Sequence, residues 1–166
     1  MHIRRRDIVK TTSIIQPGLI MAKKVENVIC PECGNQGKPV KNITVQHLVL
    51  DEVRNDVGSL DYYLCMSEVC DVTYFNPNSL KRFYKNQLSV PIWFKNEANP
   101  KYACYCSRVT EQEVIDAVAK QGATTMKEVL VITGAMKNSQ CQRKNPLGIC
   151  CHQIILDAMG KGKAAI

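Results

Sequence analysis

No run of 18 apolar residues occurs among the 166 of this chain, so neither a membrane-spanning helix nor membrane insertion is expected. A phosphate-binding glycine loop, paired carboxylates and a catalytic triad are missing too, which leaves conventional enzyme chemistry little to work with. The N-terminus is basic (Arg4, Arg5, Arg6, Lys10), but no continuous apolar run or small-residue cleavage site follows it. A secretory signal is therefore not expected. The setting that remains is the reducing cytoplasm, where thiols bind metals and do not pair as disulfides.

Cysteine is what the chain has in excess. Its nine cysteines form an odd number, which suits a disulfide framework poorly. They fall into groups at 30/33, 65/70, 104/106 and 141/150/151. The formal charge of +7 invites a nucleic-acid reading, but it counts thiols as neutral. Two four-thiolate centres of about −2 each, one holding Zn²⁺ and one an oxidised [2Fe–2S] core, bring that +7 down to about +3. A zinc-ribbon nucleic-acid binder is the lowest-ranked reading, and no nucleic acid is expected as a partner.

Residues 1–21 carry scattered charge and no period, and read as a disordered tail, with Met21 as a candidate natural start in place of Met1. The first constellation then opens with Cys30-Pro31-Glu32-Cys33-Gly34, where Gly34 permits the positive φ of a tight metal-binding turn. Its second half is Cys65-x₄-Cys70, between aromatic and β-branched residues (Tyr62 to Phe75) that read as a hairpin. Two cysteine pairs about thirty residues apart suit a tetrahedral zinc site of Cys30, Cys33, Cys65 and Cys70. A rubredoxin-like iron site is the competitor; it is disfavoured because the second half is x₄ rather than x₂. His47 lies in the apolar stretch Ile43–Leu50, whose periodicity does not choose between strand and helix. As four thiolates suffice, a packed or second-shell histidine is expected there. Residues 80–94 read as one or two further strands with Trp93 in the core, and the polar stretch 95–101 as a domain boundary.

Two helices follow. Thr110/Glu113 and Thr125/Glu128 have capping-box spacing, and Val109/Val114 have staple spacing. Val114, Ile115, Val118 and Ala119 make one apolar stripe, Met126, Val129 and Leu130 another, and Gly122 and Gly134 stop the two helices. A third helix is expected from about Cys151 to Met159, with Ile154, Ile155 and Ala158 inward and the glycine- and lysine-rich end fraying. The helical pair separates Cys104-x-Cys106 from Cys141-x₉-Cys151 and brings the outer loops to one end. Four thiolates there meet the demand of a [2Fe–2S] core, two per iron. In so small a domain the cluster should lie near the surface, held by loops. Cys151 is the expected fourth ligand, because starting the helix there turns Ile154 and Ile155 inward; Cys150 is the alternative. His152 is expected to be exposed or second-shell.

Cys104-Tyr105-Cys106-Ser107-Arg108-Val109-Thr110, with Ile132-Thr133-Gly134-Ala135 and the final cysteines, resembles the BFD-like [2Fe–2S] domain of bacterioferritin-associated ferredoxins. One departure is the nine residues between Cys141 and Cys151, where the simple family pattern has a short C-x₂-C. That longer loop and the Cys-Cys-His ending are similar to the N-terminal half of CopZ-type copper chaperones. That half joins a Cys₄ zinc domain to a BFD-like domain, and Cys30, Cys33, Cys65, Cys70, Asp71, Val72, Tyr74 and Phe75 match it. The resemblance covers about residues 28–160. It does not extend to the heavy-metal-associated domain of such chaperones, and no M-x-C-x-x-C copper loop occurs in these 166 residues.

The fold class expected is α+β: a β-rich zinc domain over 22–96, an all-α BFD-like domain over 101–160, and a disordered end over 161–166. The resemblance implies an electron carrier or metal reductase taking Cu²⁺ to Cu⁺. Its implied partner is a copper or other soft-metal handling protein, such as a heavy-metal-associated domain or a transporter. The alternative is a redox- or iron-sensing scaffold that binds a partner protein.

Overall fold

The computed structural model describes residues 27–166. The expected tail over 1–21, and the choice of Met1 or Met21 as start, lie outside the described residues. The first half is a four-stranded antiparallel sheet in the order β1 (Gly37–Val40), β2 (Tyr62–Cys65), β3 (Val72–Phe75), β4 (Arg82–Tyr84). Strand alternation sends Tyr62 and Leu64 into one apolar cluster, and Tyr63 and Cys65 into another with Cys30, Cys70, Val72 and Phe75. The ambiguous stretch after β1 is helical: α1 spans Asn42–Leu48, and Val45, Leu48 and Val49 cover the Tyr62/Leu64 face. The short helix α2 (Asp51–Arg54) leads back to β2. Residues 80–94 supply one strand, β4, with Leu88 bridging to Val49. Trp93 is half-buried at the edge of the core.

The second half opens with a feature not foreseen. Cys104 does not sit on a plain loop but ends β5 (Tyr102–Cys104), which pairs with β6 (Val109–Thr110). The helices α3 (Glu111–Ala119) and α4 (Met126–Thr133) begin at Thr110 and Thr125 with both capping boxes formed, and α4 closes at Gly134. The one-turn helix α5 spans Cys141–Lys144, and α6 spans His152–Ala164. α3 buries Val114, Ala117 and Val118 against Ile155, Ala158 and Met159 of α6.

The expected fraying of 161–166 does not hold: α6 runs on to Ala164. The reason is close packing. A Cβ on buried Gly162 would come within 2.8 Å of Val118, so α6 lies tight on α3 at the point where its glycines were expected to loosen it. Lys161 adds an ion pair to Glu111.

The residues between Cys141 and Cys151 dock on the sheet half. The Tyr74 hydroxyl, fully buried, donates to the Pro146 carbonyl at 2.7 Å, and Thr44 Oγ1 donates to the Gln142 carbonyl at 2.6 Å. Leu147 packs against the sheet cluster. A second tie comes from Tyr105, whose hydroxyl donates to Pro91 O at 2.7 Å and accepts from the Trp93 N–H at 2.9 Å. Gly148 makes the first tie possible. Its φ is +70°, and a Cβ there would lie 2.5 Å from Thr44 Oγ1. Gly148→Ala should therefore cost roughly 1–3 kcal/mol, read as a lower Tm, with Gly160→Ala, which meets nothing within 4 Å, as the helical control that stays at or above the parent.

Candidate metal centres

The first centre is built by two turns. At the first, Gly34 N–H donates to Cys30 O at 2.9 Å and Cys30 N–H to Asn35 O at 2.7 Å, folding Cys30 and Cys33 onto one side with Gly34 at φ +71°. At the second, Cys65 ends β2 and Cys70 precedes β3, so the hairpin brings both sulfurs to the same place. All four thiol sulfurs of Cys30, Cys33, Cys65 and Cys70 lie within 4.8 Å of one another. Around a tetrahedral zinc with bonds of about 2.3 Å, sulfurs stand about 3.8 Å apart, so the set fits that ion. Burial opposes ionisation of Cys33, but the Asn35 backbone N–H and side-chain amide, with donation from Cys65 and Cys70, bring it down to about 6. Burial pushes Cys65 and Cys70 up. One thiolate thus leans on its neighbours' protons, the arrangement a divalent cation replaces.

Lys95, first residue of the stretch expected to be a polar boundary, is instead 4% exposed. Its ammonium donates to the carbonyls of Ser67 (2.6 Å), Cys70 (2.9 Å) and Val72 (3.2 Å). Those are all three donors an ammonium has, spent on the turn that carries Cys70. The lysine also places a positive charge next to a set of thiolates. The run Trp93-Phe94-Lys95 held a signal for this, since a lysine directly after two aromatics can bury its stem.

The second centre gathers Cys104 from the end of β5, Cys106 from the β5–β6 turn, Cys141 from the start of α5 and Cys151 from the N-cap of α6. They meet as two pairs. Cys106 Sγ lies 3.5 Å from Cys141 Sγ, and Cys151 donates to Cys104. That donation, with help from the Met136 N–H and from Ser107, outweighs burial and brings Cys104 down to about 5. Burial, then Cys141, push Cys106 up to about 11; donation to Cys104, then burial, push Cys151 far up. Two sulfur pairs, rather than one knot of four, is the donor set of a two-iron core. The Ser107 hydroxyl is buried beside Cys104 and has no well-directed partner among the described residues, as fits a donor facing an additional sulfur acceptor. Cys104, Cys106 and Cys151 are buried, and Cys141 is half-buried at the edge. Cys150 is exposed, whereas Cys151 is 1% exposed.

Among the described residues, His47 and His152 stay outside both centres. The packed or second-shell role expected for His47 does not hold: it is exposed on α1, with Nδ1 2.8 Å from its own helix carbonyl at Ile43. α1 uses the next residue, Leu48, for the core, which turns His47 outward. His152 is exposed.

Comparison with known proteins agrees with this geometry. Residues 27–89 match the zinc binding domain family zf_CopZ, and residues 102–157 match the BFD-like [2Fe-2S] binding domain family. Fold and sites together define a two-centre metalloprotein, with a zinc-binding unit followed by a [2Fe–2S]-binding unit. The copper chaperone CopZ of Archaeoglobus fulgidus is 37% identical over 123 residues, 74% of this chain and 57% of that protein. The X-ray structure of the Archaeoglobus fulgidus CopZ N-terminal domain is similar with a TM-score of 0.66 at 36% identity, over 80% of this chain and 98% of that one. The chain belongs to the family of CopZ-type N-terminal regions. It spans 57% of the length of the curated relative.

Two outcomes follow for the centres. Lys95→Met leaves three carbonyls without their donor, and should cost roughly 2–4 kcal/mol, measured as a lower Tm and faster zinc loss to a colorimetric chelator. Cys151→Ser should remove most of the iron and the visible absorption, while Cys150→Ser keeps both; metal analysis of anaerobically purified protein checks the pair.

Proposed function

We propose that this chain passes single electrons to a soft metal ion, reducing Cu²⁺ to Cu⁺, with Cys104, Cys106, Cys141 and Cys151 holding the [2Fe–2S] cluster and Cys30, Cys33, Cys65 and Cys70 holding zinc. When bound, the cluster supplies one reversible electron. The chain's own residues set the conditions for its use. The backbone N–H groups of Met136 and Ser107 offer hydrogen bonds to the Cys104 sulfur, which favours its thiolate over its thiol. The half-buried Cys141 supplies an edge by which an electron can leave without a deep tunnel. The zinc unit is redox-silent and holds the sheet to which the ligand loops are tied.

The observation that carries this reading is the convergence of four cysteine thiols, in two pairs, in a chain of the CopZ family. The reading extends to a cytoplasmic setting and to a copper-handling partner, such as a heavy-metal-associated domain or a transporter, that takes the Cu⁺. Stopped-flow mixing of dithionite-reduced, desalted protein with Cu²⁺ tests it. Each cluster should reoxidise within seconds and yield one Cu⁺, trapped by a Cu⁺-specific chromophore. A cluster that stays reduced sinks the proposal and leaves the sensing scaffold.

A further inference from the structure

A cavity of about 590 Å³ opens where the sheet half meets the cluster half. Arg108, Arg143 and Lys144 line it, together with His47, and among the described residues no carboxylate does. None of the three permanent cations forms an ion pair among the described residues, whereas Arg54, Arg82, Lys85, Lys120 and Lys161 each do. Tyr102 and Tyr105 form an aromatic wall, their rings 5.3 Å apart and tilted by 55°. The volume is that of a small-molecule site. Three unpaired cations around a concave, partly apolar space draw anions and repel a metal cation.

The position of the cations ties the cavity to the second centre. Tyr105 lies between Cys104 and Cys106, Arg108 is two residues past Cys106, and Arg143 and Lys144 stand on the one-turn helix that begins at Cys141. Arg108 also holds its backbone at φ +55°, a conformation in which glycine would fit without strain. A charged side chain stands there despite that backbone preference, and it lines the cavity.

We infer that this cavity is a binding site for a small organic anion bearing a carboxylate or phosphate, seated beside the cluster ligands. Electron entry to the cluster thereby becomes sensitive to that anion. Reduction adds one negative charge to the cluster, which repels an anion held nearby. The anion therefore binds the oxidised protein more tightly and makes the bound cluster a stronger reductant. A tenfold preference for the oxidised form appears as a midpoint shift of about −59 mV, the one-electron equivalent of a factor of ten. The inference rests on the cluster and is independent of copper as electron acceptor.

Calorimetric titration of the oxidised, cluster-loaded protein with inorganic phosphate, citrate, ADP and a glutamate hexapeptide tests it, at low and at physiological salt. At least one of the three small anions should bind saturably, weaken as salt rises, and lower the midpoint potential. Arg108→Gly removes the charge and also the backbone strain, so it should fold at least as well as the parent yet bind the anion at least tenfold more weakly. The exposed pair Arg143→Ala/Lys144→Ala should do the same. No saturable binding by any small anion, binding by the peptide alone, or variants that bind like the parent overturn the inference. Copper is absent throughout, so these failures are separate from failure of copper reduction.

Discussion

Mutual repulsion of thiolates is the constraint that organises this molecule. Sulfurs within 4.8 Å of one another cannot all be charged without a cation among them, and cannot all be neutral without giving up ligand chemistry. The chain meets the constraint with turns whose N–H groups point at sulfur, with a lysine buried under one ligand turn, and with neighbouring thiols that share protons. In this environment Cys33 is brought down to about 6 and Cys104 to about 5, each with higher-pKa cysteines at its side. Each site is thus biased towards a first thiolate, and a metal ion then displaces the remaining protons. Folding and metal loading are two descriptions of one equilibrium in such small units.

The path between the two centres follows from the same geometry. From the zinc cysteines, β2 and β3 lead to Tyr74, and its buried hydroxyl reaches Pro146 in the loop between Cys141 and Cys151. From the other side, the Tyr105 hydroxyl, between Cys104 and Cys106, reaches Pro91 and Trp93. Both cluster-half loops that carry cysteines are therefore tied to the sheet half through a phenol, Tyr74 reaching out from the sheet and Tyr105 reaching back to it. Each bond is worth only about 1 kcal/mol as stability. Its larger effect is positional, because it limits where a sulfur one residue from Tyr105, or five residues from Pro146, can stand.

Local chemistry was legible in the sequence and long-range contact was not. Thr110/Glu113 and Thr125/Glu128 announced α3 and α4 because a capping box is complete within four residues. The spacing of Cys30, Cys33, Cys65 and Cys70 pointed to sulfurs that the fold brings within 4.8 Å of one another, since ligand chemistry restricts both residue type and turn length. The stretch 43–50 was ambiguous because an apolar run buried on a sheet has no distinct period, and its helical form is decided by packing on Tyr62 and Leu64. Lys95 was read only as part of a polar boundary; its three carbonyl partners come from a turn more than twenty residues earlier. The persistence of α6 past Gly160 depends on Val118 of another helix, which no local pattern records.

The nine residues between Cys141 and Cys151 show what an insertion can do that a ligand change cannot. In a short C-x₂-C ending the two sulfurs are placed by one turn. Here the chain runs on from Cys141, lays Pro146 and Leu147 against the sheet half, and returns at Cys151. The second ligand pair is then positioned by a surface that the zinc cysteines also stabilise. A redox-active metal would be a poor choice for that scaffold, because a change in its charge would alter the bonds that hold the turns. Zn²⁺ has one accessible oxidation state, so under the proposed function its site would keep one geometry while an electron arrived at or left the neighbouring centre. Pairing an inert ion with a redox-active cluster thus separates the task of holding position from the task of changing charge.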